Sequence, residues 1–91
     1  NIYLLIPTTR FKKDLKKYKG DLEDIRKVLK ILQEKGVEGI SKKMKPHLLK
    51  GKFKNNWECH IRPDRLIIWI QMEEPREIRL IRIGSHSELF K

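Results

Sequence analysis

The pattern of apolar and polar positions changes period along this chain, and each period predicts a different kind of element. The run Ile2–Ile6 is wholly apolar and stops at Pro7. A short, continuous apolar run is typical of a strand that is buried on both faces. We therefore expect this segment to form an inner strand of a sheet.

Two segments with helical spacing follow. The first has apolar residues at i, i+4 and i+7, namely Phe11, Leu15 and Tyr18. Thr8 or Thr9 can cap its start, and Gly20 its end. The second is expected to begin after Asp21 as its N-cap and to end near Gly36. Its apolar face comprises Leu22, Ile25, Val28, Leu29 and Leu32. Two amphipathic helices joined by so short a turn form a helical hairpin.

The second half of the chain has the pattern of strands. One short extended piece is expected at His47–Lys50, within a basic stretch that glycine and proline interrupt. The segment "NWECHI" then alternates, with Trp57, Cys59 and Ile61 on one face and Glu58, His60 and Arg62 on the other. Pro63 interrupts the pairing. "RLIIWIQM" is nearly all apolar, which predicts a central strand, and "EIRLIRIG" is expected to return as its hairpin partner.

The order β-α-α-β-β-β, with one extra short strand at most, predicts an α+β domain. In this fold a helical hairpin packs on one face of a largely antiparallel sheet. A chain of 91 residues is long enough for one modest core, so we expect a single domain over residues 1–91. No apolar run approaches the roughly 20 residues of a membrane span, and we expect no membrane association. The single cysteine, Cys59, fits a reducing cytoplasm.

The net charge of the chain predicts what kind of partner it binds. Lysine and arginine together number 22 against 12 acidic residues, which gives a net charge of +10. Such a balance predicts an anionic partner, either nucleic acid, an acidic protein or an acidic membrane. A solvated basic surface without a function has the same composition and remains the alternative.

Three histidines are the candidate chemical groups, each at or near the end of a predicted strand: His47, His60 and His86. Together with Asp64 they supply enough ligands for a metal. However, no short His or Cys spacing joins them and their surroundings are cationic, so we expect no metal and no cofactor.

Acid–base cleavage of RNA suits these residues better. A base takes the proton of the 2′-hydroxyl, an acid protonates the departing 5′-oxygen, and cations hold the charge on the phosphate. His86, Arg82 and Phe90 lie in one short stretch, which would place acid, cation and ring together. Three of the candidate residues also have a purely structural interpretation. Arg82 can be a surface residue, Phe90 can close the hydrophobic core, and Asp64 can be a turn residue.

Three segments, "HLLKGKFK", "WECHIRPD" and "RIGSHSELF", resemble in order and spacing the motifs of the YafQ branch of the RelE-like toxins. These are toxins of bacterial toxin–antitoxin pairs, and the resemblance covers nearly the whole chain. It implies the α+β fold and an mRNA endoribonuclease that works in the ribosomal A site. It also implies an acidic antitoxin as the protein partner.

The resemblance further implies an active-site set of His47, His60, Asp64, Arg82, His86 and Phe90. In it His86 is the general acid, and His60 or Asp64 activates the 2′-hydroxyl. His47 is a second candidate for base or phosphate contact, Arg82 stabilises the phosphate charge, and Phe90 positions a base or supports His86.

The basic residues expected along the RNA are Lys50, Lys52, Lys54, Arg62 and Arg65. Some relatives carry tryptophan where this chain has Arg65, which leaves any base preference at that position open. The alternative function is a non-catalytic toxin, or an RNA- or ribosome-binding module of the same fold, including a toxin directed at DNA gyrase.

Overall fold

The computed structural model describes residues 2–90 and has the predicted α+β architecture. Its strands are β1 (Leu4–Pro7), β2 (His47–Leu48), β3 (Trp57–Arg62), β4 (Arg65–Glu73) and β5 (Arg76–Gly84). Its helices are α1 (Thr9–Leu15), α2 (Leu22–Lys35) and α3 (His86–Leu89), and short 3₁₀ turns join several of these elements. None of the helices in this part of the chain is long and apolar enough to cross a membrane.

The strands form one sheet in the order β1-β5-β4-β3-β2. The pair β1 and β5 is parallel, and the other three pairs are antiparallel, which confirms a largely antiparallel sheet. The extra short strand is β2, which lies within the predicted segment and pairs with the start of β3. The central position of β4 is also confirmed, since four consecutive residues, 66–69, are fully buried.

The first strand differs from its prediction. We expected an inner strand, but β1 lies at the edge of the sheet and pairs only with β5. Leu4 is accordingly 61% exposed. The apolar run was misleading because strand position depends on pairing partners far along the chain, which local hydrophobicity does not report.

The helical hairpin covers one face of the sheet, as predicted. Its main contacts with the sheet are made by Phe11, Ile25, Val28 and Leu32, which join a core that includes Cys59, Ile67, Trp69, Ile78, Leu80 and Ile83. Two details differ from the prediction. α1 ends at Leu15, so Tyr18 lies beyond it. Asp21 occupies the N-cap position of α2 without forming a side-chain cap, because its carboxylate binds Arg65 instead.

A second, smaller core lies on the opposite face of the sheet. It contains Leu66, Ile68 and Leu89, with Leu49, Phe53 and Ile81 packed around them. Leu89 belongs to α3, a single turn that periodicity did not predict because four residues are too few to show a helical repeat. This second core seats α3 on the sheet, next to the end of β3.

Candidate active site

Two histidines from separate elements meet at the end of the sheet. His60 of β3 is paired with Leu66 of β4, and Leu66 is paired with Gly84 at the end of β5. His86, two residues after Gly84, begins α3 and lies beside His60, with 5.5 Å between the ring centroids. The antiparallel register of the three strands therefore brings the two imidazoles together.

The imidazole of His86 is oriented by Asp64 in the turn between β3 and β4. Oδ1 of Asp64 accepts hydrogen bonds from the backbone N–H and from Nδ1 of His86, both at 2.9 Å. The backbone bond is the largest of several effects that lower the pKa of Asp64, so the carboxylate stays ionised. Because an ionised carboxylate can only accept, Nδ1 carries a proton and Nε2 is left to face a substrate.

A hydrogen-bonded network holds α3, and with it His86, against the helical hairpin. Ser85 and Glu88 form a reciprocal capping box at the start of α3. The hydroxyl of Tyr18 donates to Glu88, and Nζ of Lys17 lies 3.6 Å from the same carboxylate. A Cβ on Gly84 would lie 3.0 Å from the Glu88 carboxylate, so glycine is required there for close approach rather than for a left-handed turn.

His60 is in a different environment from His86. Burial is the main cause that lowers the pKa of His60 from 6.5, and the nearby charges of His86, Lys45 and His47 lower it further, while Glu58 opposes them. Its Nδ1 is buried and has no hydrogen-bond partner among residues 2–90. His60 is therefore neutral near pH 7, which suits a proton acceptor.

His47 of β2 is paired with Glu58 of β3, which lies two residues before His60. Its Nδ1 lies 2.8 Å from the carbonyl oxygen of Lys45, and its Nε2 lies 3.4 Å from Oε1 of Glu58, whose side chain is only 4% exposed. Both ring nitrogens thus face groups that can only accept hydrogen bonds. This arrangement leaves neither ring nitrogen free to accept a proton from a substrate without losing a contact.

Arg82 and Phe90 occupy contrasting positions. Nε of Arg82 donates to Oδ2 of Asp14 at 2.8 Å, and both side chains are largely buried. The structure thus brings Arg82 to α1, and it forms no ion pair with the Asp64–His86 pair in the described chain. Phe90 is 42% exposed, with its ring centroid 6.3 Å from that of His86, while its neighbour Leu89 fills the core.

The basic residues predicted to contact RNA fall into two groups. Arg62 is paired with Asp21 and Asp24, and Arg65 is paired with Asp21 and stacks 3.9 Å above the ring of Tyr18. These two arginines join β3 and β4 to the helical hairpin. The lysines are exposed in the loop around the 3₁₀ turn before β3, and comprise Lys50, Lys52 and Lys54.

Sequence reasoning missed several residues of this site. The capping box was readable as Ser-x-x-Glu at Ser85–Glu88. Tyr18 and Glu88 are 70 residues apart in the sequence, and no local sequence pattern predicts their contact. Within residues 2–90, no three His, Cys, Asp or Glu side chains come together in a way that would hold a metal ion.

The architecture and this edge site define a class, a small α+β domain with a five-stranded sheet, a helical hairpin and two neighbouring histidines at one end of the sheet. The family described as "Bacterial toxin of type II toxin-antitoxin system, YafQ" matches residues 3–91, and the chain belongs to it. This confirms the resemblance seen in the sequence motifs. A comparison with curated proteins gave no match.

Solved structures agree with this assignment. A copper-bound mutant toxin from Helicobacter pylori is 34% identical, with a TM-score of 0.83 over 97% of this chain and 99% of that chain. A metal-bound toxin from Helicobacter pylori is 35% identical, with a TM-score of 0.81 over the same shares. The DinJ-YafQ toxin-antitoxin complex of E. coli contains a chain that is 21% identical, with a TM-score of 0.86 over 100% of both chains, which shows a shared fold.

Proposed function

We propose that this toxin is an endoribonuclease that cleaves mRNA by attack of a 2′-hydroxyl on its own 3′-phosphate, with His60 as the base and His86 as the acid. The observation that carries the proposal is the pairing of two imidazoles 5.5 Å apart in opposite environments. One is oriented by a carboxylate, and the other has a pKa lowered by burial. An imidazole that is held in one orientation suits the acid step, and one that is neutral near pH 7 suits the base step.

The proposed reaction proceeds in a single displacement. His60 takes the proton of the 2′-hydroxyl as the 2′-oxygen forms a bond to phosphorus. The bond from phosphorus to the 5′-oxygen breaks, and Nε2 of His86 donates its proton to that oxygen. The products are a 2′,3′-cyclic phosphate and a 5′-hydroxyl, and neither water nor an oxidant is consumed.

The other site residues take supporting roles in this proposal. Asp64 is committed to His86, so it orients the acid and leaves the base role to His60. Lys45 and His47 are close enough to affect His60 through their charge, and they are the candidates for stabilising the negative charge on the phosphate. Phe90, exposed beside His86, offers a face on which a base can stack.

We further propose an acidic antitoxin as the protein partner and mRNA in the ribosomal A site as the substrate. Complexes of DinJ with YafQ support the first, because this chain shares the family and the fold. The net charge of +10 supports both, since antitoxin and RNA would each be attracted to the same basic surface.

The test is cleavage of an mRNA on programmed ribosomes by the wild type and by His60→Ala and His86→Ala variants. Loss of a general acid or base should lower the rate by about 10²–10⁴-fold, and the cyclic phosphate ends should disappear. Lys30→Ala, an exposed change on α2, is the matched control and should cleave normally. Growth arrest by both histidine variants without any cleavage would instead indicate a toxin that acts by binding.

The dependence of the rate on pH provides a second readout. Because His60 must be neutral to accept a proton and its pKa lies below 6.5, the acidic limb of a bell-shaped profile should fall below pH 6.5. A rate that stays constant between about pH 5 and 8, where histidine ordinarily titrates, would contradict the acid–base roles.

A further inference from the structure

An open cleft borders His60, and the proposed reaction has not yet assigned an occupant to it. Its volume is about 490 Å³, within the roughly 300–1,000 Å³ of small-molecule sites. Besides His60 and Arg62, it is lined by Lys43, Met44, Lys45, Ile61 and Pro63. The walls thus combine apolar side chains with cations, which is the combination that a nucleobase and its phosphate require.

The cationic side chains that line the cleft differ in whether they already form an ion pair. Arg62 is already paired with Asp21 and Asp24. Lys43 and Lys45 are exposed, and neither forms an ion pair within the part of the chain that the structure describes. Lys45 also has a left-handed backbone, with φ of 53°, and its carbonyl oxygen contacts His47. The two lysines are therefore free to contact an anion at the mouth of the cleft.

The cleft lies at one end of a row of aromatic rings. Phe53 contacts Phe90, Phe90 lies near His86, and His86 lies near His60, with centroid distances of 5.9, 6.3 and 5.5 Å. Of these four rings, only His60 also lines the cleft. The two histidines thus separate a basic, partly apolar cleft from a pair of phenylalanines.

We propose that this cleft binds the base of the nucleotide that carries the attacking 2′-hydroxyl, on the 5′ side of the cleaved phosphate. The inference rests on the proposed function, because it uses the role of His60 as the base. The nucleotide whose 2′-proton His60 removes must lie beside His60, and the cleft is the space there. The leaving 5′-oxygen faces His86, so the next nucleotide falls on the side of Phe90 and Phe53. The site therefore fixes the direction of the RNA strand.

The chain offers a direct spectroscopic test. It has two methionines: Met44 lines the cleft, and Met72, near the other end of β4, does not. Protein with ¹³C-labelled methionine methyl groups is titrated with adenosine 3′-monophosphate, which mimics the 5′-side nucleotide, and separately with adenosine 5′-monophosphate. The 3′-nucleotide should shift the Met44 methyl signal saturably and leave Met72 unchanged. The 5′-nucleotide should leave Met44 unchanged at the same concentration.

A pair of glycine variants tests the charge of the cleft. Lys45→Gly removes the side chain but keeps the carbonyl and suits the positive φ. It should weaken binding of the 3′-nucleotide about two- to fivefold, the scale of one exposed ionic contact. Asn55→Gly is the matched control, because Asn55 is also exposed with a φ of 68° but lies outside the cleft. It should bind as the wild type does.

The outcomes separate this inference from the proposed function. Equal shifts of Met44 by both nucleotides, shifts of both methionines, or no shift at all would overturn the cleft assignment. Cleavage on programmed ribosomes would still support the nuclease in each of those cases. A selective Met44 shift in a protein whose histidine variants arrest growth without cleavage would support nucleotide binding and overturn the role of His60 on which the strand direction depends.

Discussion

The ion pair between Asp14 and Arg82 makes the sharpest prediction about this protein, because it separates a structural role for Arg82 from a catalytic one. Oδ2 of Asp14 accepts from Nε of Arg82 at 2.8 Å and from the backbone N–H of Ile83 at 3.0 Å. The side chains of Asp14 and Arg82 are 5% and 13% exposed. The carboxylate thereby ties α1 to β5 just before the turn that leads to His86.

The change Asp14→Ala should be strongly destabilising, since it leaves the buried guanidinium without a counter-charge. Removing one partner of a buried pair costs about 3–5 kcal/mol. The pair is at the edge of the sheet and retains some solvent contact, so we expect the lower end, about 3 kcal/mol. For a domain of this size, that corresponds to a fall in Tm of about 12–24 °C.

Urea unfolding followed by the fluorescence of the buried Trp69 measures this change. The midpoint should fall while the m-value stays constant. The double variant Asp14→Leu with Arg82→Leu should recover only part of the lost stability, because an apolar pair can replace a buried ion pair but the backbone N–H of Ile83 still loses its acceptor. Asp24→Ala, which breaks an exposed pair with Arg62, is the control and should change the midpoint little. A loss below about 1 kcal/mol in Asp14→Ala would refute the reasoning, since that is the size of an exposed pair.

The double variant also tests the role that family resemblance assigns to Arg82. Because Nε and Nη2 of Arg82 are directed at Asp14, we expect the folded Leu–Leu protein to cleave RNA within about tenfold of the wild type. A fall of about 10²–10³-fold, the cost of losing a group that stabilises transition-state charge, would show that Arg82 contacts the phosphate.

Three further predictions concern Asp64 and the buried Cys59. Asp64→Asn keeps the shape of the side chain but loses its charge, so cleavage should fall by less than the about 10²–10⁴-fold of losing His86 itself, with the fold unchanged by circular dichroism. Since the pKa of Asp64 is lowered in the folded state, its support of His86 should persist down to pH 3.8 and weaken only below it, which the amide signal of His86 would report. Burial raises the pKa of the Cys59 thiol to about 12, so it should react with a thiol reagent at pH 8 only as fast as the core opens, and rapid labelling of the folded protein would contradict this.

The fold was predictable from the sequence wherever a helix or strand has one apolar face and one polar face. The stripe of α2 predicted the contacts of Ile25, Val28 and Leu32 with the sheet, and the alternation of β3 placed Cys59 in the same core. The edge position of β1 was not predictable, because an apolar run is equally compatible with an inner strand and with an edge strand beside a helix. The end of α1 at Leu15 was missed for a related reason. Tyr18 continues the apolar stripe of the helix, but its hydroxyl donates a hydrogen bond to Glu88.

The candidate site was predictable as a set of residues but not as a set of roles. The family motifs identified His60, Asp64 and His86, and the structure places His86 beside both of the others. The sequence left Asp64 open as a base, and its two bonds to His86 are what support the proposal that it orients His86 instead. The destination of Arg82 depends on the register shift between β4 and β5, at which Ile81 is left without a cross-strand partner. The apolar positions of β5 change from Ile78 and Leu80 to Ile81 and Ile83, which marks the break in alternation but does not tell to which face Arg82 is directed.

The acidic residues explain how so basic a chain folds and still keeps its charge for a partner. Among residues 2–90, the most deeply buried charged residues are the three carboxylates Asp14, Asp21 and Glu58. Each pairs with a cation or a histidine from a distant element, and each pairing joins α1, α2 or β2 to the strands beneath the site. Because these carboxylates are buried in the protein, the excess of lysine and arginine lies on its surface. The net charge of +10 is therefore exposed to solvent. In the proposed function, the same separation of charge that holds His60 and His86 on the sheet would attract an anionic strand to the edge where they meet.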